Sequence, residues 1–247
     1  MSQKPTRSKN LPQPKSDRST YLLGGLAIVV VAVIVIGGVI WQSNRTETRN
    51  EGYGSVQNSD VTATLEDSGA VLLGLPGAAK TIDLFEDPMC PYCAQLEETH
   101  GQEVAQAIDD GKLAVRYHLL NFLNRLSASG DYSTRAVAAS QCVAQTGDGP
   151  AYSAFHAALF SPEGQPKENG SSDHSNDDLA TMAKDAGAND DAQQCIKDGT
   201  NVQSAAEAAT AGQQAMNDLG ANGTPAVFDG TDAVETNDPG WVAALIQ

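Results

Sequence analysis

The hydrophobic pattern changes character twice along the chain. Residues 21–41 carry no charged side chain, and 28–36 read Ile-Val-Val-Val-Ala-Val-Ile-Val-Ile. At 1.5 Å rise per residue, a helix over 21–41 spans the roughly 30 Å of a bilayer's hydrocarbon core. A cleavable signal has a shorter apolar run, about 7–15 residues, ending in a small-x-small site. Here the run ends in Trp41-Gln42-Ser43-Asn44-Arg45. One retained transmembrane helix is therefore predicted over 21–41, with Tyr21 and Trp41 at the two interfaces. From 42 to 63 neither the helical nor the strand period is visible, and a flexible tether is expected there.

Beyond residue 64 the two periods alternate. Residues 69–74 form a short apolar run bounded by glycine, and 80–85 (Lys-Thr-Ile-Asp-Leu-Phe) alternate polar with apolar. Both predict strands. Asp87-Pro88 breaks the second. From Cys90, the positions Cys93, Leu96, Val104, Ala107 and Ile108 recur near helical spacing up to Asp109-Asp110-Gly111. Residues 113–122 predict a third strand, which a βαβ crossover places parallel to the one before the helix. The stretch 127–219 is Ala-rich with few β-branched runs and predicts helices at about 131–146, 150–160, 176–186, 190–198 and 200–219. The polar Pro, Gly, Ser and Asn segment over 161–178 is expected to be a mobile surface loop. A strand over 224–230, a hairpin partner at 232–235 and a last helix close the chain. Asp238 is the expected N-cap of that helix, with Pro239 at its first position. The class is α/β, with a helical block inserted after the third strand.

Charge divides the chain into two electrical objects. The formal net charge is −16, yet residues 1–20 hold Lys4, Arg7, Lys9, Lys15 and Arg18 against Asp17 alone, which is +4 and leaves −20 for the rest. The basic flank predicts a cytoplasmic N-terminus and a single-pass protein of the cell membrane. The body then lies outside, where disulfides persist. Such an acidic body repels phosphate backbones, so nucleic acid is not an expected partner.

The candidate chemistry lies in Cys90-Pro91-Tyr92-Cys93, at the junction of a strand and a helix. Two cysteines three apart can close a small ring, and the first lies over the free N–H groups and positive end of the helix dipole, which stabilises its thiolate. Cys90 is the expected attacking and accessible thiol, and Cys93 the resolving one. Half a zinc site and a purely structural bridge are the other readings. Zinc would need two more ligands, and no second CxxC or paired histidines follow.

With Phe85-Glu86-Asp87-Pro88-Met89-Cys90-Pro91-Tyr92-Cys93, the inserted helical block and Gly223-Thr224-Pro225-Ala226 before a late strand, the chain resembles the thioredoxin superfamily. Within it, the resemblance is to membrane-anchored DsbA-like thiol:disulfide oxidoreductases of actinobacterial type. The resemblance covers about residue 70 onward and implies a thioredoxin-like fold: a central mixed sheet, flanking helices and a helical insertion over about 127–219. It also implies a cis Thr224–Pro225 bond facing the CxxC. Pro91, Tyr92, Thr224 and Pro225 would then contact substrate. The implied partners are secreted proteins with free cysteines and a membrane quinone-linked reoxidase of the VKOR or DsbB type. A monomer is expected, and no cofactor. Pro-Tyr between the cysteines, in place of the Gly-Pro of reducing thioredoxins, favours an oxidant over an isomerase or reductase. A peptide-binding module with incidental cysteines is the reading from another class. The superfamily often carries a buried acid six residues before the first cysteine, where this chain has Leu84, with Asp83 and Glu86 beside it. Proton exchange with Cys93 is thus left open between Glu86, solvent and neither.

Cys142 and Cys195 remain. Pairing the CxxC locally leaves them to each other, as a structural staple or as a second redox pair. His100, His118, His156 and His174 show no ligand spacing and are expected at the core edge or surface. The acidic pairs Glu97-Glu98, Asp109-Asp110 and Asp190-Asp191 are read as solvated faces and helix first turns.

Overall fold

The computed structural model describes residues 52–247. The apolar stretch 21–41, its basic flank and residues 42–51 lie outside the described residues; among those described, no helix is long and apolar enough to cross a membrane. Six strands form one sheet: β1 (Thr62–Leu65), β2 (Val71–Gly74), β3 (Lys80–Glu86), β4 (Leu113–Leu119), β5 (Ala226–Asp229) and β6 (Asp232–Ala233), in the order β1-β2-β4-β3-β5-β6. β3 and β4 pair in parallel from Lys80↔Leu113 to Glu86↔Leu119, joined by helix α1 (Pro91–Asp109), while the other pairings are antiparallel. This is the crossover expected from the sequence, with β4 ending at Leu119 instead of 122.

The helical block comprises α2 (Tyr132–Ala144), α3 (Gly149–Phe160), α4 (Asn176–Asp185), α5 (Asp190–Asp198) and α6 (Val202–Asp218), and α7 (Trp241–Leu245) follows β6. Local chemistry starts several of them. Asp148 accepts from Ala151 N at 2.9 Å, Asn189 accepts from Ala192 N at 3.0 Å, and Ser175 with Asp178 forms a reciprocal capping box. The last helix begins later than Asp238 and Pro239 suggest. Asp238 Oδ1 accepts from Gly240 N, forming a turn, and the helix opens only at Trp241.

Period-two alternation puts β3 to use on both faces. Ile82 and Leu84 join the main core with Val104 and Ile108 of α1, Val115 of β4 and Phe155 and Leu159 of α3. Phe85 points the other way and packs with Leu120, Met216 of α6 and Phe228. Each fully buried Phe or Leu contributes about 1.5–3 kcal/mol relative to an exposed one.

Two expected loops are built structure. The tether expected over 42–63 is, from Gly52 on, an arm laid along α1: Val56 and Val61 are buried, and Gln57 N and Asn58 N donate to the Asp109 carboxylate at 3.0 and 2.9 Å. Gly54 permits the approach, because a Cβ there would stand 2.3 Å from Gln102 Cα. The arm's last two residues already belong to β1. A four-residue strand among threonines and acids has too short a pattern to stand out by alternation alone. The segment 161–178, expected to be mobile, is tied down as well. Arg135 Nη2 donates to Asp173 Oδ1 at 2.8 Å, Ser129 N and Oγ donate to Asp173 Oδ2, and Asn169 N donates to Leu126 O. Its polar composition supplies those ties, which composition alone reads as a loop.

Candidate active site

β3 ends at Glu86, and three residues of turn carry the chain to Cys90, the N-cap of the 19-residue helix α1, with Pro91 at the first helical position. Asp87 holds this turn from beneath. Its side chain is wholly buried, Oδ1 accepts from Met89 N at 3.0 Å and Ser133 Oγ at 2.7 Å, and Oδ2 accepts from Leu123 N at 2.9 Å. Burial outweighs these donors and pushes its pKa up to about 6. From the other side, Gln165 Nε2 donates to the carbonyls of Pro88 at 3.2 Å and Cys90 at 3.0 Å. The backbone around Cys90 is therefore clamped by residues of the helical block as well as by the strand.

Cys90 and Cys93 are both free thiols. Cys90 is 5% exposed and Cys93 not at all, so the attacking sulfur is less open than its place at a helix start suggests. Their acidities diverge. The Cys93 thiol donates to the Cys90 sulfur; against the cost of burial, this bond, the Thr224 side chain and the N–H groups of Cys93 and Tyr92 bring Cys90 down to about 6. Burial, the same bond seen from the donor's side and the Glu86 carboxyl push Cys93 well above the usual thiol range. One proton is thus shared by two sulfurs, and it stays on the inner one.

Across from the pair, the Thr224–Pro225 bond is cis, as the resemblance implies, and Thr224 O lies 3.4 Å from Cys90 Sγ. A groove runs beside them, lined by Tyr92, Gln95, Thr99, Thr224, Pro225 and Asn237. Tyr92 is 68% exposed at its rim. Of the four residues expected to contact substrate, Tyr92, Thr224 and Pro225 line this groove, while Pro91 follows Cys90 at the first helical position. Cys142 and Cys195 lie in α2 and α5, bridged to each other with Cα atoms 5.8 Å apart.

The acids near Leu84 separate by face. Asp83 lies on the back of the sheet, where His118 Nε2 at 2.8 Å and Arg116 Nη1 at 3.2 Å hold its carboxyl below the usual range despite partial burial. Glu86 shares the core face with Leu84, two residues nearer the cysteines, and is wholly buried. Burial first, then the Glu97 charge, raise it to about 7, with His156 pulling the other way. Two expectations fail at this point. Glu97, read as solvated, is buried 7% exposed, and His156, read as a core-edge or surface group, is 3% exposed, with Nε2 3.2 Å from Glu86 Oε2 and 3.4 Å from Glu97 Oε1.

The missed residues carried weak signals. Glu97 follows Cys93 by four, hence one turn along the same face. His156 belongs to the buried set Tyr152, Phe155, His156 and Leu159, spaced i, i+3, i+4, i+7. Nothing in the local pattern marks Gln165, which reaches the site only through the tertiary path of its segment.

A low-pKa cysteine at a helix start, a buried partner three residues on and a cis-proline opposite define a thiol–disulfide exchange site on a thioredoxin-like fold. The family model described as Thioredoxin matches residues 66–247, and the chain belongs to the thioredoxin family. Among solved structures it is similar to the MdbA thiol-disulfide oxidoreductase of Corynebacterium diphtheriae, at 30% identity and TM-score 0.67, over 78% of this chain and 96% of that one. It is also similar to DsbA of Mycobacterium tuberculosis, at 28% identity and TM-score 0.60, over 76% and 91%. Among curated proteins it is 39% identical to the serine/threonine-protein kinase PknE of Mycobacterium tuberculosis over 95% of this chain and 42% of that protein. The chain thus spans less than half the length of the curated relatives it matches.

Proposed function

We propose that this protein is a membrane-tethered, extracytoplasmic thiol–disulfide oxidase that donates the Cys90–Cys93 disulfide to secreted, unfolded chains with free cysteines. A substrate thiolate attacks Cys90 Sγ, the Cys90–Cys93 bond breaks, and Cys93 leaves and takes a proton. A second substrate thiolate then attacks the substrate sulfur of the mixed disulfide, and Cys90 departs as the stabilised thiolate. Substrate loses two electrons, and the enzyme's disulfide gains them. A membrane quinone-linked reoxidase of the VKOR or DsbB type would return Cys90 and Cys93 to the disulfide.

The observation that carries this reading is the split in acidity between the two thiols. A reduced form stabilised by a Cys90 thiolate near pKa 6 makes the disulfide the less stable partner, and so an oxidant. Tyr92 at the rim and the neutral, polar groove suit an extended peptide held chiefly by its backbone. The uncharged run 21–41 and the basic residues before it support a cytoplasmic N-terminus with the redox domain outside.

Equilibration of the full chain with glutathione tests it. A potential well above the roughly −270 mV of thioredoxin, toward the roughly −120 mV of DsbA, is expected. A value at the thioredoxin end assigns a reductase instead. Unimpaired peptide binding and function after both cysteines become serine would assign a non-redox binding module.

A further inference from the structure

The Cys90 thiolate accounts for one buried charge; Glu86, Glu97 and His156 form another cluster that it does not explain. One ligand-type atom from each lies within 4.8 Å of the others, and all three side chains are buried. Both Glu86 oxygens and both His156 ring nitrogens lack an aligned hydrogen-bond partner, so the contacts at 3.2 and 3.4 Å are ion pairs in character. Two carboxyl groups at such depth repel unless one is protonated or a cation lies between them. The groups facing His156 are Glu86 from β3, Glu97 from α1, the Tyr117 ring of β4 at 4.3 Å and Tyr152 of its own helix at 6.2 Å. Burial keeps both tyrosines protonated. Against the cost of burial, Glu97 and Glu86 push the imidazole's pKa up to about 10, which makes it the cation of this set.

We propose that His156 is a positioning residue for the redox pair: its imidazolium, brought in by the helical block, holds Glu86 as the group that gives a proton to the Cys93 sulfur when it leaves and takes it back when Cys93 attacks. The inference rests on the oxidoreductase reading above and deepens it. Leu84 cannot exchange protons, and β-strand alternation brings Glu86 to the same face two residues closer to the cysteines. Glu86 also senses both sulfurs: its charge raises Cys93, and the Cys90 charge raises Glu86. In ring closure, the Cys93 thiol gives its proton to the Glu86 carboxylate, Cys93 sulfur attacks Cys90 of a mixed disulfide, and the bond from Cys90 to the partner sulfur breaks. The partner leaves as a thiolate. In substrate oxidation the same proton returns from Glu86 to Cys93. Without the imidazolium, burial and Glu97 would keep Glu86 protonated to higher pH, leaving no base for closure.

The experiment loads the reduced full chain with glutathione on Cys90 and follows release of glutathione against pH, for the natural protein, His156→Gln and His156→Lys. Intramolecular proton transfer contributes about 10²–10⁴-fold where it operates. His156→Gln should therefore slow closure at pH 7 by roughly tenfold or more and move the pH midpoint upward, and His156→Lys should recover a large part of the rate. Identical pH profiles for all three overturn the proposal and leave the oxidoreductase reading standing; a natural protein that accepts no glutathione on Cys90 overturns that reading instead. Should the variants fail to fold, nitrogen-15 spectra of the natural reduced protein decide it. An imidazolium at His156 through pH 8 is expected, and a neutral ring at pH 7 overturns the proposal.

Discussion

Cys90 and Cys93 stand three residues apart where β3 gives way to α1, both reduced, with backbone N–H groups and a cis-proline around the outer sulfur. Cys142 and Cys195, 53 residues apart, come from the C-terminal halves of two helices and are bridged. The first pair shares a proton unequally under a helix dipole; the second lies past the first turn of both its helices, and its sulfurs are bonded to each other. What separates a working disulfide from a structural one here is the surroundings that make one sulfur a good leaving group. The cysteine residue is the same in both.

The sharpest way to break the contrast is to exchange roles within the first pair. Cys93→Ser is expected to accumulate mixed disulfides through Cys90, whereas Cys90→Ser should trap none, read by non-reducing electrophoresis and mass mapping. Equal trapping by both would erase the distinction between attacking and resolving sulfur.

Removing the second pair acts on stability instead. Closing a 53-residue loop is worth about 4 kcal/mol in the chain-entropy account. Cys142→Ala with Cys195→Ala should lose on that order in denaturant unfolding while Cys90 still titrates near 6. Mild dithiothreitol should correspondingly open Cys90–Cys93 first, as differential alkylation would register; alkylation of Cys142 before Cys90 would contradict this.

A somewhat smaller loss, on the order of 3 kcal/mol, is expected for Asp87→Ala, which strands two buried N–H groups and the Ser133 hydroxyl. Its pH signature has a definite sign. Asp87 holds its proton in the folded state up to about pH 6 and releases it near 4 when unfolded. Its protonated form therefore favours folding most below pH 4, and that contribution is lost as pH rises through 6. The stability gap between the natural protein and Asp87→Ala should narrow from pH 4 to 6.

The finest test concerns the sulfur–sulfur hydrogen bond. Cys93→Ala removes the largest cause of Cys90's acidity, so the thiolate absorbance midpoint should climb from about 6 toward the ~8.5 of a free cysteine. Because the folded pKa of Cys90 is depressed, the reduced protein should gain stability between pH 6 and pH 8.5 relative to Cys90→Ser. A midpoint that stays at 6 in Cys93→Ala would assign the acidity to Thr224 and the N–H groups of the helix start instead.

Much of this architecture was legible in the sequence because its signals are local. Alternation in 80–85, the strand-to-helix break at Asp87-Pro88 and the CxxC beside it are each contained in a few residues, and the structure places them as expected. The helical block was legible from alanine content. The arm over 52–63 was not, since Val56 and Val61 are buried singly, beside Ser153 and Gly149 of α3, on a surface that exists only after folding. Glu97 and His156 were misread for a related reason: charge on a helix reads as solvent-facing unless its partner, from another element, is known. Gln165 lies 75 residues from Cys90, and no periodicity spans that distance.

His156 and Gln165 both lie between Cys142 and Cys195, inside the loop that bridge closes. Until the 142–195 bond forms, the segment bearing the imidazole against Glu86 and the amide clamping Cys90 is held only by its own packing, on a chain free to sample a far larger loop ensemble. The surroundings of one cysteine pair are thus secured by the bridge of the other, so the readiness of Cys90 and Cys93 for disulfide exchange depends on an oxidation elsewhere in the chain.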